Sequence, residues 1–530
     1  MSDTSLARTP GADNPARVIA STRIEWISVS AVLAAVMIGL IARVVSLGAI
    51  GFNSDEAVYA GQAASLSGNP LYTPYFAIFR AHPLLIQFIL SVVFKAGVSD
   101  IAARSVSVAF GVAAIPLIYL LGRELFSRRV GIMSALVLAL LPYHVIVSRQ
   151  VLLDGPETTL FLLTIYLIAR YASTSSARYL YVAGFAAGMT FLAKETAVLV
   201  LPVIAAFFLM TPAIRLRLGQ IGLTFLAFAV AIAPYPISIA VSGASDTARQ
   251  FLLWQLLRRP NHTFTFYGEV LFGALGPLLL VVAVVGLVLG ARRATWQDRL
   301  ILAWVVVPVA FYQAWPVKGY QYLLPIAPAL IIVAMKTLDD FARRSATAAK
   351  DASERARSYA LLQRAAVGLL SVALLLSVAA PTLAAAGRGA AEGSLAGTGG
   401  LPGGREAGEW VDANVPTGGA FMTIGPTLSN IIQFYGHRRS QGLSVSPNPL
   451  HRNPAYDPIG NPDSAIRTLK IQYVAWDVWS ASRSPYFASL LLRYANKYHG
   501  KLVYQQLADV RLPNGGTQRT TVIQIFEVRP

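Results

Sequence analysis

The sequence contains no cysteine, which excludes a disulfide framework, a thiolate metal site and a cysteine nucleophile. Charge is also scarce, at 13% of residues, about half of what an ordinary soluble domain carries. Acids are the scarcer sign, with 26 Asp and Glu against 44 Lys and Arg and a net charge of +18. Such an excess could signal nucleic acid, but the basic residues sit mainly in short loops between apolar runs, so they read as topology signals. The first 22 residues lack an apolar core and a small-residue cleavage site, so the first helix is expected to be an uncleaved anchor.

Apolar residues are what the chain has in excess. They make up 55% of 530 residues, and the mean hydropathy is +0.55. They gather in runs near 26–48, 101–121, 131–147, 157–170, 179–193, 196–210, 218–240, 270–290, 300–315, 321–337 and 361–385. A bilayer core of roughly 30 Å takes about 20 helical residues to cross, so the runs predict a polytopic α-helical membrane protein of about eleven transmembrane helices. The segments 179–193 and 196–210 flank Lys194–Glu195 and are expected to form a helical hairpin with that pair at a membrane face.

Orientation follows from the loops carrying Arg123, Arg128 and Arg129, then Arg215 and Arg217, then Arg292, Arg293 and Arg299, all expected to be cytoplasmic. The segment 336–358 and the N-terminus, with Arg8, Arg17 and Arg23, agree with this assignment. The apolar stretch 83–97, which opens with Pro83, is then expected to lie in the outer interface, within a first external loop covering 49–100. A twelfth span is the alternative there. The expected organisation is a cytoplasmic tail (1–25), a membrane domain (26–385), a Gly-rich linker (386–403) and a soluble extracytoplasmic α/β domain (404–530). In that last part helices are expected at 404–413, 427–435, 463–469 and 486–498, and strands at 420–424, 471–476, 501–506 and 521–528.

This topology brings four polar clusters to the external side. The adjacent acids Asp55 and Glu56 can accept a proton or bind a cation, or can join Ser54 in capping a helix N-terminus. Asp154 lies at the mouth of the fourth span near Arg149, and both have bland readings, as a helix cap and an interfacial anchor. The third cluster is Lys194–Glu195. The fourth is the external loop 241–269 with Trp254, Arg258, Arg259, His262 and Tyr267, where cations beside aromatics suit a phosphate on a larger group. His262 alone is more often an ordinary interfacial residue than a metal ligand, and Lys318 reads equally as an anchor or a phosphate contact.

The ordered set Asp55–Glu56, Ala81-His82-Pro83-Leu84, Arg123-Glu124-Leu125-Phe126-Ser127-Arg128-Arg129, Ser148-Arg149 with Asp154, Leu192-Ala193-Lys194-Glu195 and Gln321-Tyr322-Leu323-Leu324-Pro325 spans about residues 20–340. In that order the motifs resemble the GT-C superfamily of membrane glycosyltransferases, in its lipid A aminoarabinose transferase and protein O-mannosyltransferase branch. Gln321 stands where a basic residue often precedes the Tyr, and His82-Pro83 stands for the usual double Pro.

The resemblance implies a sugar donor on a polyprenyl phosphate and a lipid, glycan or protein acceptor, with no nucleic acid. It places the reaction at the outer face of the cell membrane, the N-terminus in the cytoplasm and the C-terminal domain outside. It implies Asp55 as catalytic base, with Glu56 and Asp154 in support, and Lys194, Arg258 and Lys318 on the donor phosphate. Arg149, His82, His262 and Tyr322 would contact substrate. Some relatives bind a divalent metal near the acids, for which His82 and His262 are the imidazoles at hand; no other cofactor is implied. The competing class is a transporter or flippase of polyprenyl-linked lipid or glycan, which would show inverted repeats and broken midplane helices.

Overall fold

The computed structural model describes residues 15–348, 354–388, 401–511 and 517–530. Most of the expected linker (389–400) and the first 14 residues of the expected tail lie outside them. The helices run in the order α1 (Pro15–Val44), α2 (Ser54–Leu66), α3 (Leu85–Val93), α4 (Asp100–Leu125), α5 (Arg128–Leu140), α6 (Pro142–Ser148), α7 (Asp154–Thr174), α8 (Ala177–Ala193) and α9 (Val200–Met210). They continue as α10 (Leu218–Ile232), α11 (Pro234–Val241), α12 (Ser245–Leu256), α13 (Phe266–Leu275), α14 (Pro277–Arg293), α15 (Trp296–Ala314), α16 (Ala327–Ala348) and α17 (Glu354–Arg388).

This is a membrane protein. Among the described residues four helices are long and apolar enough to cross a bilayer, and counting each of three bent pairs as one span brings the number to seven. Each bend has a proline at the start of its second half: α5–α6 turns by 57° at Pro142, α10–α11 by 43° at Pro234 and α13–α14 by 110° at Pro277. A proline has no N–H to return to the preceding turn, so the helix breaks there. The last bend corrects the expectation of one continuous span over 270–290, because Gly276 at φ +78° and Pro277 divide it into two helices at a steep angle. The expected hairpin of 179–193 and 196–210 also resolves differently: α8 lies against α7 and α10, whereas α9 lies against α15.

The α5–α6 break is sealed from outside. The guanidinium of Arg43, fully buried at the end of α1, donates to the carbonyls of Ala139 at 3.0 Å and Leu138 at 3.5 Å. The Leu138 carbonyl is the one that Pro142 cannot serve, four residues on. Arg43 also reaches Ser148 Oγ at 2.9 Å and His144 Nδ1 at 2.8 Å, which ties α6 to α1.

The first loop is held by one buried ion pair. Arg104 on α4 grips Glu56 with Nε to Oε1 and Nη2 to Oε2, both at 2.8 Å. Its remaining N–H groups go to the carbonyls of Leu47, Ile50 and Gly51. Glu56 in turn accepts from the backbone N–H of Val151, just before α7, at 2.9 Å. Glu56 also closes a capping box with Asn53, whose side chain accepts from the Glu56 N–H. Three separate stretches of chain therefore meet at one carboxylate: the start of α2, α4 and the turn into α7.

Residues 401–530 build a sheet flanked by helices. They comprise α18 (Gly404–Asn414), β1 (Ala420–Thr423), α19 (Pro426–Gly436), β2 (Arg439–Gly442), α20 (Pro462–Arg467), β3 (Tyr473–Asp477), α21 (Val478–Arg483), α22 (Pro485–Lys497), β4 (Lys501–Arg511) and β5 (Thr517–Glu527). The strand order is β2-β1-β3-β5-β4, parallel on the β1 side and antiparallel around β5. Alternation sorts Phe421 and Ala475 onto the face that packs on α18 and α19, and Met422 and Val474 onto the face that packs on α22. The sequence missed β2, whose Arg-Ser-Gln-Gly carries no apolar residue to alternate, and the one-and-a-half-turn helix α21.

α19 docks this unit onto the first loop. Tyr435 Oη accepts from the Phe52 N–H and donates to Asp100 Oδ2, each at 2.7 Å, and Arg405 binds the same Asp100 oxygen at 2.7 Å. Phe434 lies between Phe52 and Tyr72, with ring centroids 5.0 and 5.1 Å away. Breaking a buried ion pair by removing one partner costs about 3–5 kcal/mol. Glu56→Gln and Arg104→Met should each lose on that order, and the double variant should lose less than their sum. Thermal unfolding of the purified protein in detergent measures this, and additive losses would show that the pair does not act as a unit.

Candidate functional site

A cavity of about 480 Å³ lies between the membrane helices and the C-terminal unit. Its floor comes from α2 (Asp55, Tyr59, Gln62), from the turn into α7 (Leu153, Asp154) and from Lys194, Glu195 and Tyr322. Its wall comes from α12 and the residues after it (Phe251, Trp254, Arg258), and its roof from the 444–456 stretch of the C-terminal unit.

The charges on its surface fall into two kinds. Lys194 Nζ is 2.5 Å from Asp154 Oδ1 and 3.7 Å from Glu157 Oε2, all three buried, so its charge is already matched. The ammonium also lies 4.6 Å from the Tyr322 ring centroid. Asp55, by contrast, has no hydrogen bond or ion pair among the described residues, although it lines the same cavity. Arg258 has no acidic partner there either: it lies over Trp254 at 4.5 Å and bonds only Gln255. Burial raises the Asp55 carboxyl above its ordinary value, with Asp154 adding to the rise and Lys194 opposing it. The nearby Tyr456 hydroxyl is pushed up to about 12, mainly by burial and partly by Asp55, and stays protonated.

Asp55, Asp154, Lys194, Arg258, His82 and Tyr322 are thus brought together around one cavity. The other expected residues are placed elsewhere. Glu56 is committed to Arg104, so the adjacent acids are not a catalytic pair. Capping also goes differently from the expectation for Ser54 and Asp55, because Asn53 is the cap residue. Lys318 spends its ammonium on the carbonyls of Gln313 and Trp315, and Arg149 donates to the Ala42 carbonyl. His262 stacks on Phe266 at 4.0 Å, outside the cavity, while His82 Nδ1 meets the Pro83 carbonyl. Among the described residues no three His, Asp or Glu side chains converge as metal ligands, so the two imidazoles do not form a set.

The geometry has counterparts among known proteins. The profile of the dolichyl-phosphate-mannose-protein mannosyltransferase family matches residues 81–239. The undecaprenyl phosphate-alpha-4-amino-4-deoxy-L-arabinose arabinosyl transferase of Aeromonas hydrophila is 29% identical over 265 residues, covering 46% of this chain and 47% of that protein. Its Aeromonas salmonicida counterpart is 32% identical over 174 residues, 29% of this chain and 30% of that protein. The matched stretches therefore span less than half the length of these curated relatives. In fold, the crystal structure of ArnT from Cupriavidus metallidurans in the apo state gives a TM-score of 0.64 at 16% identity, covering 96% of this chain and 98% of that one. The chain resembles the GT-C membrane glycosyltransferases. The aminoarabinose transferase branch is the one it is similar to. The Archaeoglobus fulgidus oligosaccharyltransferase in the apo form shares the fold more loosely, with a TM-score of 0.59 at 16% identity, covering 93% of this chain and 74% of that one.

Within this GT-C-like frame the sequence reading missed the roof, notably His451, Arg452, Asn453 and Tyr456, and the floor residue Gln62. One signal for the roof was present. Between β2 and α20 the chain runs from 443 to 461 with only the short turn of helix Pro449–His451, and irregular stretches of that length are usually functional. Nothing in the sequence marked Gln62. Because a neighbouring like charge raises the Asp55 carboxyl, Asp154→Asn should lower the pH at which Asp55 gives up its proton. Carbodiimide attacks the protonated carboxyl, so mass spectrometry of labelling against pH should show a midpoint above 3.8 that moves down in Asp154→Asn. An unmoved midpoint would contradict the coupling.

Proposed function

We propose that the protein transfers a sugar from a polyprenyl-phosphate donor to an acceptor hydroxyl at the outer face of the cell membrane, with Asp55 as general base. In this reading α7, α8, α9 and α15 join the seven long or bent spans to make eleven, the N-terminus is cytoplasmic, and 404–530 is an extracytoplasmic α/β domain reached through the 386–403 linker. One observation carries the proposal: an unpartnered carboxylate, Asp55, and a guanidinium without an acidic partner, Arg258, line one cavity. Part-buried charges left without partners are costly, and a ligand bearing both a hydroxyl and a phosphate would match both. The fold shared with ArnT bound to undecaprenyl phosphate, at a TM-score of 0.61 and 15% identity, supports a polyprenyl phosphate as that ligand.

The chemistry follows from these positions. Asp55 takes the proton of the acceptor hydroxyl as its oxygen attacks the anomeric carbon of the donor sugar. The bond from that carbon to the phosphate oxygen breaks, and its electron pair leaves with the polyprenyl phosphate. Negative charge grows on the departing phosphate, where Arg258 offsets it. Lys194 holds Asp154 in place and Tyr322 packs over its ammonium, so this group shapes the floor and tunes Asp55. Flanking the wall, Leu252, Leu253, Leu256 and Leu257 are exposed, as are Ile237 and Val241 on α11, an apolar surface along which a prenyl chain would lie.

A general base contributes about 100-fold to 10,000-fold in rate. Asp55→Asn should lose transfer by that factor while the folded yield stays near wild type, because Asn53 and Glu56 close the helix cap. Turnover from a labelled polyprenyl-phosphate sugar measures it. Wild-type turnover by Asp55→Asn would remove the proposed base.

A further inference from the structure

A second cavity of about 1220 Å³ adjoins the first. The two share Val58, Gln62, Phe79, Pro426, Val445 and Tyr456 in their linings, so they lie side by side with these side chains between them. The outer cavity lies between the first loop and the C-terminal sheet, and its rim residues Thr73, Gly418, Asp457 and Lys470 are exposed. It therefore opens on the side of the C-terminal unit, with Ser242, Ala244 and Thr247 at its edge, whereas Phe251, Trp254 and Arg258 wall the inner cavity.

Gln62 sits where the two spaces meet. It is 4% exposed, its Oε1 is buried without a partner, and no hydrogen bond to its amide is found among the described residues. Leaving a buried amide unmatched is destabilising, so this one is poised for a group the protein does not supply. Asp55, Tyr59 and Gln62 follow at i, i+4 and i+7 on α2, which puts them on one face of the helix. Seven residues of helix rise about 10 Å, roughly the length of two linked sugar units measured from the proposed base.

Resting on the transferase reading above, we propose that the acceptor is a polysaccharide chain entering from the aqueous phase through the outer cavity, with Gln62 binding a hydroxyl of the unit behind the one that reacts. Along this path amides and hydroxyls recur, including Thr73, Ser429, Gln433, Gln441 and Tyr456, groups that both donate and accept as sugar hydroxyls require. The half-buried Tyr75 ring lines the same space and offers a flat apolar face of the kind that sugar rings pack against. A lipid acceptor without sugars in its headgroup would leave these polar groups unmatched.

The test uses the purified full-length protein, polyprenyl-phosphate sugars labelled metabolically, and a cell-envelope extract separated into lipid, protein and polysaccharide fractions. Label should enter the polysaccharide fraction. Gln62→Leu keeps the side-chain size and removes the orphaned amide, so the protein should fold, and the KM for that fraction should rise at least tenfold more than the KM for the donor. Gly418→Trp is a second variant: a Cβ at Gly418 meets nothing within 4 Å, so the indole is accommodated at the rim, narrows the mouth of the outer cavity and should cut transfer to polysaccharide at least tenfold. Label entering the lipid or protein fraction overturns the proposal, as does a Gln62→Leu variant whose donor and acceptor KM change together. If label leaves the donor for no fraction and not for water, the transferase reading itself falls.

Discussion

The bidentate ion pair between Arg104 and Glu56 is the interaction on which the site depends. It joins the loop after α1, the start of α2, the start of α4, and the turn into α7 through the Val151 N–H. Asp55 and Asp154 approach the cavity from two of those stretches. Their separation is therefore set by a neighbouring residue that never enters the cavity. Burying such a pair demands that every remaining donor and acceptor be satisfied, and the three loop carbonyls on Arg104 and the capping box on Glu56 do that.

A second constraint is how charge is divided in the cavity. Lys194 sits between Asp154 and Glu157, and matching that cation with two acids leaves Asp55, like Glu195 beside the lysine, without an ion-pair partner among the described residues. The low-dielectric surroundings that raise the Asp55 carboxyl also make it a stronger proton acceptor once ionised. The C-terminal unit then closes the space from above, anchored by Tyr435 and Arg405 on Asp100. Its 443–461 stretch needs no regular structure because its backbone lies across a cavity mouth rather than in a core.

Long apolar runs, and four helices and four strands after residue 403, were legible because hydropathy and periodicity are local signals. The proline breaks were legible only in part: Pro142, Pro234 and Pro277 are visible in the sequence, but the size of each bend is set by what packs against it, such as Arg43 at the α5–α6 break. Asp55 stood out as an acid in an apolar chain, and Glu56 stood out equally. What separates them is Arg104, 48 residues away, a partner that no spacing rule reveals. Lys318 and Arg149 misled for the same reason, since their charges are spent on backbone carbonyls at turns. Gln62 gave no signal because an amide in a helix is ordinary until its surroundings leave it unpaired.

In the proposed reaction Asp55 acts as the base, with Asp154 held by Lys194 and unavailable as a nucleophile. A single base gives one displacement and inverts the anomeric centre, whereas a carboxylate nucleophile gives two displacements and retains it. The most direct measurement is the anomeric configuration of the transferred sugar by NMR, compared with that of the donor. Inversion is the predicted result; retention would require a covalent intermediate and would contradict the account.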